Sequence, residues 1–168
     1  AKWCRGVALG ASGKRGGDVR RRGVVPVFLG QFEHALDQKG RVILPVRFRE
    51  QLESGAFLSA SLDGCLALYE AEEFKRVMND VLEAAKRGQR ERQTARMFAA
   101  NATEASIDKQ GRMLIPGHLR LFASLERDVV ITGNVTRVEI WAAGRWREVA
   151  REGGLSLGPG GPALGSCG

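Results

Sequence analysis

The residues best suited to chemistry in this sequence lie in two short turns of nearly the same composition. The first reads DQKGR from residue 37, and the second reads DKQGR from residue 108. An aspartate followed three residues later by glycine is typical of a tight turn, because the carboxylate accepts backbone N–H groups and glycine tolerates a positive φ. The pattern therefore predicts a turn-forming role for Asp37, Gly40, Asp108 and Gly111.

Each turn also carries basic side chains that suit contact with a nucleic acid. They are Lys39, Arg41, Lys109 and Arg112. Arginine can donate two parallel hydrogen bonds to guanine O6 and N7 or grip phosphate oxygens, and lysine adds a mobile phosphate contact. A structural turn alone does not explain why arginine follows glycine in both copies. We therefore predict a two-pronged DNA-binding surface, and we expect an oligomer because one such unit neutralises few phosphates.

The two turns belong to a longer internal repeat with a period of 71 residues. Residues 37–49 and 108–120 share five identities in thirteen positions, and the apolar positions between them also correspond. Two halves that are each rich in short strands predict a pseudo-twofold unit around one shared core, because neither half could easily cover its own sheet. Further basic residues follow each turn and either contact phosphate or brace the turn: Arg47, Arg49 and Arg120.

Hydrophobic periodicity places each turn between short strands. In the first half, alternation over residues 28–36 predicts a strand, and the apolar run 42–44 predicts a second strand that forms a hairpin with it. Two more strands are expected at 56–60 and 65–69. A helix with an apolar stripe over 74–85 follows, and we interpret this stripe as core or subunit interface. The same order then restarts in the second half, so the elements indicate an α+β fold.

The basic charge of the chain is concentrated at its N-terminus. Residues 1–26 carry +6 of the formal net charge of +7, so the remainder is nearly neutral at +1 and the total charge is no argument for DNA binding. We expect the native start at Val27. Five segments are predicted: a basic Gly-rich extension at 1–26, a first half at 27–74, connecting helices at 75–101, a second half at 102–151 and a disordered Gly/Pro-rich tail at 152–168.

Several function classes find no support in the sequence. The three cysteines are scattered and lack zinc-ligand spacing, which favours a reducing cytoplasm over a disulfide framework. No apolar run approaches the roughly 20 residues of a membrane span. We find no pairing of nucleophile and base, no metal cluster and no phosphate loop. We therefore expect no enzyme, no cofactor, no metal site, no membrane contact and no small-molecule substrate.

Four stretches carry a resemblance to a known family. They read FLGQFEHALDQKGRVILPVRFREQL, LDGCLALYEAEEF, DKQGRMLIPGHLR and VEIWAAGRW. Together they resemble the bacterial MraZ family over about residues 27–150, with both turn motifs in the family's order. The resemblance implies two SpoVT–AbrB-type halves that form a pseudo-twofold swapped-hairpin β-barrel with flanking helices.

The resemblance also implies a function in transcription. It implies ring-shaped homo-oligomers that bind short direct repeats in double-stranded DNA upstream of their own division and cell-wall operon, in the cytoplasm at the nucleoid. The DNA-contacting arginine of the family falls on Arg41, its lysine on Lys39, and the arginine of the second motif on Arg112. Gln110 stands where the first motif has Lys39, which leaves open whether both halves contact DNA equally. The alternative is an AbrB-fold protein-interaction module, such as an antitoxin-like partner.

Overall fold

Short strands and helices follow one another in the same order in both halves of the chain. The computed structural model describes residues 27–153, which form a mixed α+β structure. The strands are β1 Gln31–Ala35, β2 Arg41–Ile43, β3 Ala56–Ala60, β4 Leu66–Glu70, β5 Thr103–Glu104, β6 Arg112–Leu114, β7 Asp128–Asn134 and β8 Arg137–Ala142. The helices are α1 Val46–Arg49, α2 Ala71–Ala85, α3 Gln89–Ala100, α4 Gly117–Phe122 and α5 Ala143–Glu152. A 3-10 turn, Glu50–Leu52, extends α1.

The repeat in the sequence is a repeat of elements. The first half runs β1, β2, α1, β3, β4, α2, and the second half runs β5, β6, α4, β7, β8, α5, with α3 between them. Pro45 and Pro116 separate strand from helix in the two halves. Proline cannot donate to a strand ladder, and its carbonyl accepts the first helical N–H groups here. The predicted extension at 1–26 lies outside the described residues, as does most of the predicted tail. Within residues 27–153, no helix combines the length and the apolar composition that crossing a membrane requires.

The antiparallel sheet is built from both halves. Its strand order is β1-β7-β8-β4-β3-β5, and exchanging each strand for its equivalent in the other half reproduces the same order in reverse. The first strand of each half pairs with the third strand of the other half, as in the register between Phe32 and Ile131. The prediction of a hairpin between β1 and β2 is wrong, because β1 pairs with β7 and β2 pairs with β6.

A two-stranded ribbon of β2 and β6 covers one face of the sheet. Val42 and Met113 are opposite each other in this ribbon, and both are fully buried. The α1 and α4 helices add Phe48 and Leu119, which are also fully buried. The core thus lies between the ribbon with its two short helices and the inner face of the sheet.

The longer helices cover the opposite face of the sheet. Phe74 of α2 stacks on Phe57 of β3 with ring centroids 4.5 Å apart, and Phe98 of α3 lies 6.0 Å from Phe74. Every residue of α2 and α3 is at least partly exposed, and Met97 is 62% exposed. The apolar stripe of α2 therefore lies outside the core, and its other predicted role, a subunit interface, stays a prediction.

Candidate nucleic-acid interface

The first turn is closed by the carboxylate of Asp37 and by a glycine. Asp37 Oδ1 accepts hydrogen bonds from the backbone N–H groups of Lys39 and Arg41, each at 2.9 Å. The N–H of Gly40 donates to the carbonyl of Asp37 at 2.9 Å. Gly40 has a φ of +76°, in the left-handed region that favours glycine over residues with a Cβ. These bonds fix the backbone of the turn from Asp37 to Arg41.

The second turn repeats this construction. Asp108 Oδ1 accepts hydrogen bonds from the backbone N–H groups of Gln110 and Arg112, again at 2.9 Å. The N–H of Gly111 donates to the carbonyl of Asp108 at 2.8 Å, and Gly111 has a φ of +77°. The two turns therefore present their arginines from the same local geometry.

In both turns the arginine side chain folds back onto the aspartate that begins the turn. Arg41 Nε and Nη2 each lie 2.7 Å from Asp37 Oδ2. Arg112 Nε lies 2.8 Å from Asp108 Oδ2. A guanidinium has five N–H donors, so each arginine keeps further donors for a ligand while the carboxylate holds its direction.

The same contacts lower the pKa of both aspartates. For Asp37 the largest cause is the hydrogen bond from the backbone N–H of Arg41, followed by the bond from the Arg41 side chain. For Asp108 the corresponding bonds from Arg112 act in the same order. Both carboxylates are therefore charged at neutral pH, which keeps the arginines ion-paired.

The ribbon aims both arginines to the same side. Arg41 is opposite Leu114, and Arg112 is opposite Ile43, so these four side chains share the outward face because directly opposed residues lie on one side of a ribbon. We call these four residues the ribbon face. Ile43 is 47% exposed and Leu114 is 56% exposed. The result is a solvent-facing surface on which two cationic and two aliphatic side chains alternate.

A second pair of arginines crosses between the halves. The guanidinium of Arg49, from the first half, lies against Gly111 of the second half, and the guanidinium of Arg120 lies against Gly40 of the first half. Arg49 Nε also donates to the carbonyl of Leu44 at 2.7 Å. Of the two roles left open by the sequence, this geometry supports bracing of the turn for Arg49 and Arg120.

Backbone bonds tie the same regions together. The N–H of Leu44 donates to the carbonyl of Gly111 at 2.9 Å, and the N–H of Ile115 donates to the carbonyl of Gly40 at 3.0 Å. Each turn is therefore fixed by the half to which it does not belong. Arg47 takes no part in this brace, and its guanidinium lies 5.9 Å from the ring centre of Phe32.

The lysines complete the basic surface unequally. Lys39 and Lys109 are both exposed. Lys39 occupies the third position of its turn, whereas Lys109 occupies the second position of its own, where the first turn has Gln38. Each turn therefore carries one lysine, but the two lysines occupy different positions of the turn.

The remaining reactive groups have ordinary structural environments. Cys65 is fully buried, and burial, with a smaller contribution from the Glu139 carboxylate, raises the pKa of its thiol to about 12. Burial lowers the pKa of His34, and the charge of Arg49 lowers it further. Within residues 27–153, no three His, Cys, Asp or Glu side chains lie where they could together hold a metal ion.

Sequence reasoning missed two features of this surface. It assigned Asp37 to the turn and Arg41 to DNA as separate roles, although their spacing of four residues was a signal for the ion pair. It also treated residues 42–44 as a single apolar run. In the structure Val42 points inward and Ile43 points outward. The sequence does not reveal this alternation, because residues 42, 43 and 44 are all apolar.

The fold and the two turns define a class: duplicated α+β proteins that present two aspartate-held arginines on one face. Comparison with known proteins identifies the family. The family model described as "MraZ protein, putative antitoxin-like" matches residues 27–98 and 97–157. The chain belongs to the MraZ family, which confirms the resemblance found in the sequence.

Several relatives share the name Transcriptional regulator MraZ. The one from Caldanaerobacter subterraneus subsp. tengcongensis is 42% identical over 131 residues, which cover 78% of this chain and 92% of the relative. The one from Pediococcus pentosaceus is 41% identical, covering 75% and 88%. The one from Heliobacterium modesticaldum is 44% identical, covering 71% and 84%.

Proposed function

We propose that this protein is a sequence-specific, DNA-binding transcriptional regulator that contacts double-stranded DNA through the ribbon face. The observation that carries the proposal is the pair of arginines, Arg41 and Arg112, each held by its own aspartate and both on one outward face. The names of the relatives support the same function. The B-DNA major groove is wide enough to admit a two-stranded β-ribbon.

The arginines do the recognition in this proposal. Asp37 Oδ2 accepts hydrogen bonds from Nε and from one N–H of Nη2 of Arg41. The other N–H of Nη2 and both N–H groups of Nη1 remain available. These groups can donate two hydrogen bonds to guanine O6 and N7 or to phosphate oxygens. Because the aspartate already orders the side chain, less conformational entropy is lost on binding. Lys39 and Lys109 add contacts to phosphate.

We further propose that the two halves form the swapped-hairpin β-barrel of the SpoVT–AbrB type. The exchange of first strands between the halves supports this arrangement, because β1 pairs with β7 and β5 pairs with β3. The barrel would fix the angle between the two turns, so that both could meet one DNA duplex.

Self-association is the next step of the proposal. One ribbon face neutralises few phosphates, so useful affinity requires several faces on one DNA, as a ring-shaped homo-oligomer on direct repeats would provide. An apolar groove of about 590 Å³ between α3 and the β3–β4 loop supports a contact between copies. Its lining includes Leu62 and Met97, which are 92% and 62% exposed. Native mass spectrometry should show that Met97→Glu reduces the number of copies, and an unchanged assembly would exclude this groove.

The target that we propose is the DNA upstream of the protein's own gene, in a division and cell-wall operon, which places the protein in the cytoplasm at the nucleoid. Gel shifts on that fragment test the proposal. Arg41→Ala should weaken binding by about 5- to 150-fold, because a bidentate arginine contact is worth ~1–3 kcal/mol. Arg96→Ala, on exposed α3, removes the same charge from the opposite side of the sheet and should have little effect. Equal binding by wild type and Arg41→Ala would contradict the proposal.

A second candidate is an antitoxin-like protein-interaction module, which the family description favours. In this case the main partner would be a small protein, and DNA contact would be secondary. Pull-down from the native organism distinguishes the two. Recovery of a stoichiometric small protein by both wild type and Arg41→Ala would favour the module.

A further inference from the structure

We propose that Ile43 and Leu114 read thymine methyl groups in the major groove. This inference rests on the proposed DNA-binding function and concerns how sequence is recognised. Both side chains belong to the ribbon face, and they are 47% and 56% exposed. Each is directly opposite an arginine of the other strand.

Folding alone does not account for these two aliphatic residues. The inward positions of the ribbon, Val42 and Met113, already fill the core and are fully buried. Outward positions of a strand with one solvated face are usually polar. A single exposed aliphatic residue would be ordinary. Here, however, the two occupy the same position of the internal repeat, so the chain places an aliphatic side chain outward twice.

The chemistry of the major groove supplies a matching ligand. The C5 methyl of thymine is an apolar group on the major-groove edge, and aliphatic protein groups recognise it by contact. Opposed residues of a ribbon have Cβ atoms about 5 Å apart, which lies between one and two base-pair rises of ~3.4 Å. An arginine that contacts one base therefore places the opposed aliphatic residue within one or two base pairs of it.

The test replaces single thymines by uracil, which lacks only the methyl group. Binding of the wild type to the upstream DNA is measured by fluorescence anisotropy, with one substitution per probe. At the contacted thymines, the wild type should bind the uracil probe about fourfold more weakly, the effect of losing one buried methyl-sized group. Ile43→Ala and Leu114→Ala should each bind the thymine and uracil probes equally at a different position. Leu29→Ala, which also truncates an exposed aliphatic residue but lies before β1 and outside both the ribbon face and the apolar groove, should keep the wild-type discrimination.

The outcomes separate this inference from the function on which it rests. If the wild type binds thymine and uracil probes equally, methyl readout is overturned while DNA binding stands. If both variants retain the discrimination, other residues read the methyl groups and the inference is overturned. If the wild type binds none of the probes, the proposed function fails and this inference fails with it. If the variants instead change the native mass of the assembly, the ribbon face is a contact between copies, which also overturns it.

Discussion

Arg49, in the first half of the chain, lies against Gly111 in the second half so closely that a Cβ at Gly111 would overlap its guanidinium. The reciprocal pair is Arg120 and Gly40, where an added Cβ would come within 2.6 Å of the guanidinium carbon. Each half thus holds the turn of the other half. This crossing links the geometry of the proposed DNA surface to the integrity of the whole duplicated fold.

The first prediction concerns the glycines under these arginines. Gly111→Ala should lower the free energy of unfolding by at least about 2 kcal/mol, because a left-handed φ is strained for alanine and Arg49 must also move. Gly64 is the control, since its φ is +80° but no atom lies within 4 Å of an added Cβ. Gly64→Ala should therefore cost only about 1 kcal/mol in urea unfolding.

A double variant separates strain from overlap. In an Arg49→Ala background, Gly111→Ala should cost about as much as Gly64→Ala, because the overlapping side chain is gone. If Gly111→Ala costs the same with and without Arg49, the contact across the halves has no energetic weight.

The second prediction concerns the role of the aspartates in the proposed DNA recognition. Asp37→Asn keeps an oxygen for the backbone N–H groups of the turn but removes the acceptor for Arg41 Nε. The specific affinity relative to competitor DNA should fall roughly five- to tenfold, because a charged hydrogen bond that orients the arginine is worth about 1 kcal/mol or more. Competition binding measures this ratio and cancels the general gain from removing a negative charge near DNA. An unchanged ratio would mean that Asp37 serves the turn alone.

The third prediction follows from the lowered pKa values of Asp37 and Asp108. In the folded protein both pKa values lie below the ordinary 3.8, so the charged carboxylates stabilise the native state at all pH values above 3.8. This stabilisation is lost as the pH falls through the lowered folded-state pKa values. Carboxyl NMR titration should give both midpoints below 3.8. Urea unfolding of wild type and of the Asp37→Asn/Asp108→Asn variant should converge at acidic pH. Midpoints at or above 3.8 would show that neither the backbone hydrogen bonds of the turns nor the ion pairs persist in solution.

The fourth prediction addresses the inequality of the two turns. Lys39→Gln should reduce the slope of log affinity against log salt by about 1 for each turn bound, because one phosphate contact is lost. Gln110→Lys should raise the slope by a similar amount, since it places a lysine at the equivalent position. Lys75→Gln is the control, because Lys75 lies on α2 and pairs with Glu72. The assignment of Lys39 fails if its substitution and that of Lys75 have the same effect on the slope.

Local sequence patterns sufficed for much of the secondary structure. The alternation of apolar residues predicted β1 near Gln31–Ala35, and the D-x-x-G-R spacing predicted both turns. The pairing of β1 was not predictable from local signals. The turn after Leu36 favours a hairpin with β2, whereas the strand that pairs with β1 is β7, in the second half of the chain. The contact of Arg49 with Gly111 was equally unpredictable, since the side chains of a short helix can lie in solvent or against the other half. The exposure of Ile43 depends on the register with β6, which the apolar run does not specify.

A structure of the protein bound to its upstream DNA tests most directly whether the ribbon face is the DNA-binding surface. We predict that the ribbon face lies in the major groove, with Arg41 and Arg112 directed at one duplex and Asp37 still bonded to Arg41. Density for DNA against α3 or α5, or a ribbon face covered by a neighbouring copy, would contradict it.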